Sequence, residues 1–243
     1  MKFCFVIPCY NHDAVIKDTV SALNDYALPI IIVDDGSQTS TRSVLQQLAK
    51  EFNHVQLIHR AENGGKGAAM QTGLAAAVAK NMTHALQIDA DGQHDLNDLA
   101  AFIEQATKYP KALVSGRPVY DNSISKGRYY GRFITHFWVA LETLSFKVMD
   151  SMCGYRVYPL AAYQQLIASS RLGMRMDFDI EVMVRLVWQG VEVRFVKTKV
   201  HYPEFGLSHF HAFKDNVLIT QMHTRLFFGM LLRLPKLLWR KLS

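Results

Sequence analysis

The amino-acid sequence reads as an α/β protein with a mostly parallel central sheet and helices on both faces. Three observations carry that reading. Short apolar runs alternate with longer segments of helical period through the first half of the chain. Polar clusters stand where the apolar runs stop. The chain has 243 residues, 49% hydrophobic and 20% charged, which is long and apolar enough for one sizeable core.

The elements follow in order. Lys2 to Ile7, ending at Pro8, reads as a buried strand. Ala14 to Leu23 fits a helix and Ile30 to Val33 a second strand, stopped by the turn cluster Asp34-Asp35-Gly36-Ser37. Ser40 to Glu51 is helical, with Ser40 or Thr41 as N-cap. Val55 to Ile58 is a strand and Gly67 to Lys80 an alanine-rich helix. Ala85 to Ile88 is a strand, Asp95 to Thr107 a helix and Ala112 to Ser115 a strand. In such sheets ligands bind outside the carboxyl ends of the strands.

The second half is less regular. Ile124 to Val148 reads as one long helix with Lys126, Arg128 and Arg132 near its start. Asp179 to Gln189 is a helix and Val191 to Val196 a strand. No internal repeat or low-complexity linker is present. In Asn216 to Leu242, Leu, Phe and Trp interleave with Arg225, Arg233, Lys236, Arg240 and Lys241, and Pro235 is expected to kink the segment. A basic amphipathic segment of this kind suits an anionic membrane surface; packing on its own domain is the plainer reading.

Charge and cysteine content narrow the function classes. The formal net charge of +6 favours anionic partners. No nucleic-acid motif accompanies it, so phosphates and acidic lipids are preferred over nucleic acid. Cys4, Cys9 and Cys153 form no close pair, which argues against a disulfide framework or a zinc cluster and for a reducing, cytoplasmic compartment. The opening apolar run is too short for a signal peptide, and no run reaches the length of a membrane span.

Three strand ends, at Pro8-Cys9-Tyr10-Asn11, Asp34-Asp35 and Asp89-Ala90-Asp91, deliver polar groups to one edge. Gln87-Ile88-Asp89-Ala90-Asp91-Gly92-Gln93 places two carboxylates one residue apart, able to hold a hard divalent cation. The same residues also read as a turn with a cap. Asp34 and Asp35 can accept hydrogen bonds from a base or a ribose hydroxyl, or cap the following helix. Asn63-Gly64-Gly65-Lys66-Gly67 permits close backbone approach to an anion at a helix N-terminus, with Lys66 as a point charge; a flexible turn is the plain reading.

Taken together, Ile7-Pro8-Cys9-Tyr10-Asn11, Val33-Asp34-Asp35-Gly36-Ser37, Asn63 to Gly67 and Asp89 to Gln93 resemble family 2 glycosyltransferases, which have the GT-A fold. The resemblance implies an inverting transferase that uses a nucleotide-diphosphate sugar with Mg²⁺ or Mn²⁺. Pro8, Tyr10, Asn11, Asp34 and Asp35 would hold the nucleoside, with Lys66 and Gly67 near the nucleotide and Asp89, Asp91 and Gln93 at the metal. Asp150-Ser151-Met152-Cys153-Gly154-Tyr155-Arg156 resembles a segment of the dolichyl- or polyprenyl-phosphate sugar synthases, and Arg117, Arg128 and Arg132 resemble that branch's phosphate-binding arginines. For the helical pair, a solvated face is the alternative. Residues 1–118 then form the nucleotide-sugar half, 119–215 the acceptor half, and 216–243 the basic tail.

There is a departure from the branch's Arg-x-x-Gly-x-Ser-Lys pattern. Ser208-His209 follows Gly206-Leu207, with no arginine before the glycine and His209 in place of lysine; Ser208 and His209 remain candidates to contact the acceptor phosphate. A lipid-linked or membrane-associated acceptor is expected, bearing a hydroxyl or a phosphate. An ionised phosphate needs no base, whereas a hydroxyl needs a carboxylate. Asp179, then Glu181, are the candidate bases, with Asp150 and Arg156 also near the acceptor; acidic residues at a helix start also fit the dipole alone. If helical, Asp177 and Glu181 share a face and Asp179 points elsewhere. The expected location is peripheral, on the inner face of the cytoplasmic membrane. A nucleotidyltransferase would open with a glycine- and arginine-rich loop, which this chain lacks. A non-catalytic membrane-surface protein on the same fold is the remaining alternative.

Overall fold

The computed structural model describes residues 1–120, 124, 126–200 and 211–242, with side chains omitted at Lys126, Arg128, Lys241 and Leu242. Seven strands form one sheet in the order β3-β2-β1-β4-β6-β5-β7. They are β1 (Phe3–Cys9), β2 (Ile30–Asp34), β3 (Val55–His59), β4 (His84–Gln87), β5 (Leu113–Tyr120), β6 (Arg156–Pro159) and β7 (Val193–Val200). The helices are α1 (Asp13–Leu23), α2 (Thr39–Glu51), α3 (Lys66–Ala79), α4 (Leu99–Lys108), α5 (Lys126–Thr143), α6 (Leu160–Ser169), α7 (Phe178–Gln189) and α8 (Ala212–Leu242).

The alternation of side chains along each strand divides the core. Cys4 and Val6 of β1, with Ile31 and Val33 of β2, face α3, α7 and α8. Phe5 and Ile7, with Ile30 and Ile32, face α1, α2 and α4. Both faces are apolar because both are covered, which is why the strands read as continuous hydrophobic runs.

β1, β2, β3 and β4 are mutually parallel, as are β5 and β7, whereas β6 is antiparallel to both β4 and β5. The sequence reading did not include β6 or α6. A reversed strand begins at the edge where its neighbours end, so β6 brings the segment Asp150 to Tyr155 to the carboxyl edge of the sheet. Arg156 pairs in register with Gln87 and Ser115.

Other bounds differ too, with β5 and β7 running on to Tyr120 and Val200, past the expected Ser115 and Val196. The long helix expected over 124–148 is α5, ending at Thr143; Leu144 stands at φ 50° and breaks it. A 3-10 turn at Leu96–Asp98 precedes α4, with Asp95 accepting from the Asn97 N–H. α8 runs through Pro235 as one helix. Arg240 near its end donates to the carbonyls of Trp188 and Gln189, capping α7. The three cysteines are free and buried. No helix among the described residues is long and apolar enough to cross a membrane.

Candidate functional site

A cavity of about 580 Å³ opens at the carboxyl edge of the sheet. The strand ends contribute Pro8, Tyr10, Asp35, Lys66, Asp89, Asp91 and Gln93. The second half contributes Gly131, Arg132 and Thr135 of α5, Met152, Arg175, and Asn216 and Ile219 of α8.

The two adjacent aspartates of β2 part company. Asp35 lines the cavity and holds the glycine loop: it accepts from the Gly64 and Gly65 N–H groups at 3.1 and 2.7 Å and from Arg60 Nε at 2.7 Å. Asp34 is fully buried and does not reach the cavity. It accepts from the Ser37 N–H at 2.9 Å, meets His59 Nδ1 at 2.8 Å and lies 3.4 Å from Arg42. Burial opposes its ionisation, but the hydrogen bonds from Ser37 and His59 prevail and lower its pKa. Asn11 also works behind the cavity, joining two loops through Ser37 Oγ and the Gln38 N–H.

Lys66 stands at the start of α3, where its ammonium bridges Asp89 at 2.8 Å and Asp179 at 2.9 Å. Burial disfavours its charge, yet the two carboxylates outweigh burial and raise its pKa. Reciprocally, burial opposes ionisation of Asp89, while Lys66, His94 and the Gln87 amide hold its carboxyl down at about 2. Gln87 donates towards both Asp89 and Asp179 and accepts from the Tyr158 hydroxyl at 2.9 Å. His94 approaches Asp89 at 3.9 Å and stacks on Tyr155 at 4.7 Å.

Gly154 closes this network. A Cβ there would fall on the Asp89 carboxylate and lie 2.6 Å from Lys66 Nζ. The glycine of the Asp150-to-Arg156 segment is therefore a matter of space. Arg156 is fully buried, donating to the Asp179 carbonyl at 2.5 Å and the Ser151 carbonyl at 2.7 Å. It anchors α7 to the turn and does not line the cavity.

Asp150 organises the same turn, accepting from the Met152 and Cys153 N–H groups at 2.9 and 2.8 Å. It also pairs with Arg132 of α5 and lies 3.4 Å from His136. Burial opposes its ionisation, but His136, Arg132 and the Met152 N–H bring its carboxyl to about 2. A carboxylate so engaged serves as a counter-ion to Arg132 and as the anchor of the turn.

The helical period separates the acids of α7. Asp179 turns towards Lys66 and Arg156. Asp177 and Glu181 both hold the preceding loop: Asp177 accepts from the Arg175 N–H and Glu181 from the Gly173 N–H. Glu181 also pairs with Arg185 at 2.8 Å. It is buried away from the cavity, so its geometry gives a loop anchor and not a proton acceptor beside a ligand.

Of the arginines, Arg132 lines the cavity, whereas Arg117 is exposed on β5 and does not. The Arg128 side chain, Ser208 and His209 lie outside the described residues. Gly67 is buried beneath the Gly173 carbonyl and Phe178.

Asp89, Asp91 and Gln93 offer hard oxygen donors to one cavity, and Asp91 Oδ1 accepts the Gln93 N–H at 3.1 Å. Lys66 shows that a cation is already welcome at Asp89. The set fits Mg²⁺ or Mn²⁺, ions that take one or two carboxylates and complete their shell with phosphate and water. The described residues contain no cluster of three or more His, Cys, Asp or Glu side chains able to hold a metal unaided.

Known proteins similar to this chain include glycosyltransferases. A dolichyl-phosphate beta-glucosyltransferase of Dictyostelium discoideum is 22% identical over 96% of this chain and 76% of its own length. A UDP-N-acetylglucosamine–dolichyl-phosphate N-acetylglucosaminyltransferase of Methanococcus voltae is 27% identical over 84% of this chain and 87% of its own. The chain spans 60% of a dolichyl-phosphate beta-glucosyltransferase of Trichomonas vaginalis, at 26% identity over 74% of this chain. Glucosyl-3-phosphoglycerate synthase from Mycobacterium tuberculosis, crystallised with Mn²⁺ and UDP-glucose, superposes with a TM-score of 0.65 at 15% identity, covering 94% of this chain and 78% of that one. The fold is thus the GT-A fold. The model of "Glycosyl transferase family 2" matches residues 4–166, and the chain belongs to that family of glycosyltransferases.

Proposed function

We propose that this glycosyltransferase moves a sugar from a nucleotide-diphosphate sugar to a polyprenyl-type lipid phosphate. The observation that carries the reading is the state of the acids. Asp35 is engaged by Arg60 and two N–H groups, Asp89 and Asp179 by Lys66, and Asp150 by Arg132. Asp91 is the remaining cavity carboxylate among the described residues, and we assign it to the metal. No described acid is then left to deprotonate a hydroxyl, whereas an ionised phosphate needs no base. The names of the relatives, which carry dolichyl phosphate, support the same acceptor.

In this reading Pro8, Tyr10 and Asp35 bound the nucleoside, and Lys66 stands charged beside the diphosphate. Asp89, Asp91 and Gln93 would hold Mg²⁺ or Mn²⁺, which supplies positive charge to the departing diphosphate. Arg132 attracts the acceptor phosphate. An acceptor oxygen attacks the anomeric carbon from the face opposite the diphosphate: the new carbon–oxygen bond forms, the old one breaks, and the nucleoside diphosphate leaves with the electron pair. No proton moves, and the anomeric configuration inverts.

The acceptor would arrive from a membrane surface. Tyr130, Phe133, Ile134 and Phe137 form an exposed stripe on α5, and Phe228, Leu231, Leu232 and Trp239 are exposed on α8, where Arg233 and Lys236 interleave with them. Both helices also contribute to the cavity. The basic residues suit an anionic leaflet.

The test is transfer from a panel of UDP-, GDP- and dTDP-sugars with Mn²⁺ into vesicles containing dolichyl phosphate or undecaprenyl phosphate. The expected product is organic-extractable, labile to mild acid as a glycosyl phosphate, and absent with Asp91→Ala. Transfer to free dolichol in preference to its phosphate would overturn the acceptor.

A further inference from the structure

The acceptor reading leaves Arg175 unassigned, although it lines the cavity. This arginine lies in the loop between α6 and α7, and that loop is fastened to α3. The Ala68 N–H donates to the Met174 carbonyl at 2.8 Å, and the Gln71 amide donates to the Gly173 carbonyl at 3.0 Å. A Cβ on Gly65 would lie 2.8 Å from Arg175 Cγ, so the arginine stem packs on the glycine loop one residue from Lys66.

The head of the side chain is aimed from a different element. Arg175 Nε meets Asp215 of α8 at 3.4 Å. Asp215 is 1% exposed, and its second oxygen accepts the His211 N–H at 2.8 Å. Burying a carboxylate is costly unless a cation and N–H donors meet it, and Asp215 meets both Arg175 and the His211 N–H. The guanidinium uses its inner nitrogen for this contact; its two terminal nitrogens have no partner among the described residues. Those terminal N–H groups form the planar fork that suits two phosphate oxygens.

We infer that Arg175 is a phosphate-binding residue for the acceptor, with Asp215 as its positioning residue. The inference rests on the lipid-phosphate reading above. It assigns the terminal nitrogens of Arg175 to oxygens of a phosphate monoester and assigns α8 a part in the site. No covalent step is added. Arg132 and Arg175 come from elements far apart in sequence, and each is backed by a buried carboxylate, Asp150 and Asp215 respectively.

The decisive experiment measures binding to the full chain, without turnover. Farnesyl phosphate and farnesol are titrated against wild type, Arg175→Gln, Arg175→Lys and Asp215→Asn, with a UDP-sugar and Mn²⁺ as a third ligand. Thermal unfolding of each variant is recorded alongside. Arg175→Gln is expected to weaken farnesyl phosphate about tenfold, the usual worth of a charged hydrogen bond, and to leave farnesol and the UDP-sugar unchanged. Arg175→Lys keeps the charge without the fork and should fall between; it also serves if Arg175→Gln does not fold. Asp215→Asn should weaken farnesyl phosphate selectively, by less than Arg175→Gln.

Unchanged binding of all three ligands would overturn the inference. So would parallel weakening of farnesol, which would make Arg175 a wall of the cavity, or weakening of the UDP-sugar alone, which would give the arginine to the donor diphosphate. A wild type that does not distinguish farnesyl phosphate from farnesol would remove the lipid-phosphate reading itself. Loss of the phosphate preference in Arg175→Gln alone removes nothing from that reading.

Discussion

The strand-end carboxylates and the cavity arginines are held in place by different means. Asp35, Asp89 and Asp91 follow buried strands, so the sheet itself fixes where their backbones stand. Arg132 and Arg175 sit on a helix and a loop, and their long side chains are aimed by Asp150 and Asp215 from other parts of the chain. Both sides carry ion pairs, but the strand-end carboxylates are placed first by the backbone of the sheet, whereas the arginine heads are placed by their counter-ions. Substitution of Asp91 on the first side should therefore act on chemistry with the fold intact, and substitutions of the second side's counter-ions should act on stability as well.

The hardest test of that contrast is Asp91→Ala. Among the described residues its carboxylate accepts the Gln93 N–H and joins no ion pair, so thermal stability should hardly change. If Asp91 holds the metal as proposed, transfer should fall about a thousandfold, the scale of charge stabilisation that a metal ion supplies. Removing divalent cations from the wild type with a chelator should reproduce the loss, and adding Mn²⁺ back should reverse it in the wild type and not in the variant.

Gly154→Ala comes next because it strikes the joint between the two sides. The added methyl displaces the Asp89–Lys66 pair. Single-turnover rates should drop about a hundredfold, as expected for misplacement of about 1 Å. An unchanged rate would mean that the pair can move without consequence.

Asp150→Asn tests the ion-pair side. The folded carboxyl titrates near 2 and its ordinary value is 3.8. A lowered folded pKa contributes stability above the unfolded value and loses it as pH falls through the folded one. Wild-type stability should thus decline between about pH 4 and pH 2 by about 2 kcal/mol from this group, and the variant should lack that part of the decline. Denaturant titration across that range measures it.

The smallest effect is expected far from the chemistry. Phe137→Ser and Trp239→Ser each remove an exposed aromatic from α5 or α8. Co-sedimentation with anionic vesicles should weaken about fivefold for each, with donor hydrolysis in solution unaltered. Equal binding by wild type and variants would remove the membrane surface from these helices.

The same contrast explains what could be read from sequence. β1, β2, β3 and β4, with α1 to α3, were legible because a strand buried on both faces is an apolar run and its end is a polar cluster. β6 was not: Arg156-Val157-Tyr158-Pro159 is short, begins with a charged residue and ends in proline. Its place is decided by pairing with β4 and β5, which no local pattern records. Among the site residues, Asp89 and Asp91 announced themselves by spacing. The choice between Asp34 and Asp35 depended on which way each side chain left the strand end, and on His59 and Gly65 elsewhere. Gln87 carried the signal of standing two residues before Asp89 on the same strand face. Arg175 and Asp215 carried none, because forty residues separate two groups that meet only in the folded chain.

The three thiols have a practical consequence. Burial pushes Cys4, Cys9 and Cys153 up to about 12, so near neutral pH they remain protonated and shielded. A maleimide dye offered to the native protein should leave them unlabelled. A single cysteine installed at Trp239 or Phe146, which are 73% and 93% exposed, would then take the dye alone. The wild-type chain already supplies the silent background that site-specific fluorescence normally requires engineering to obtain.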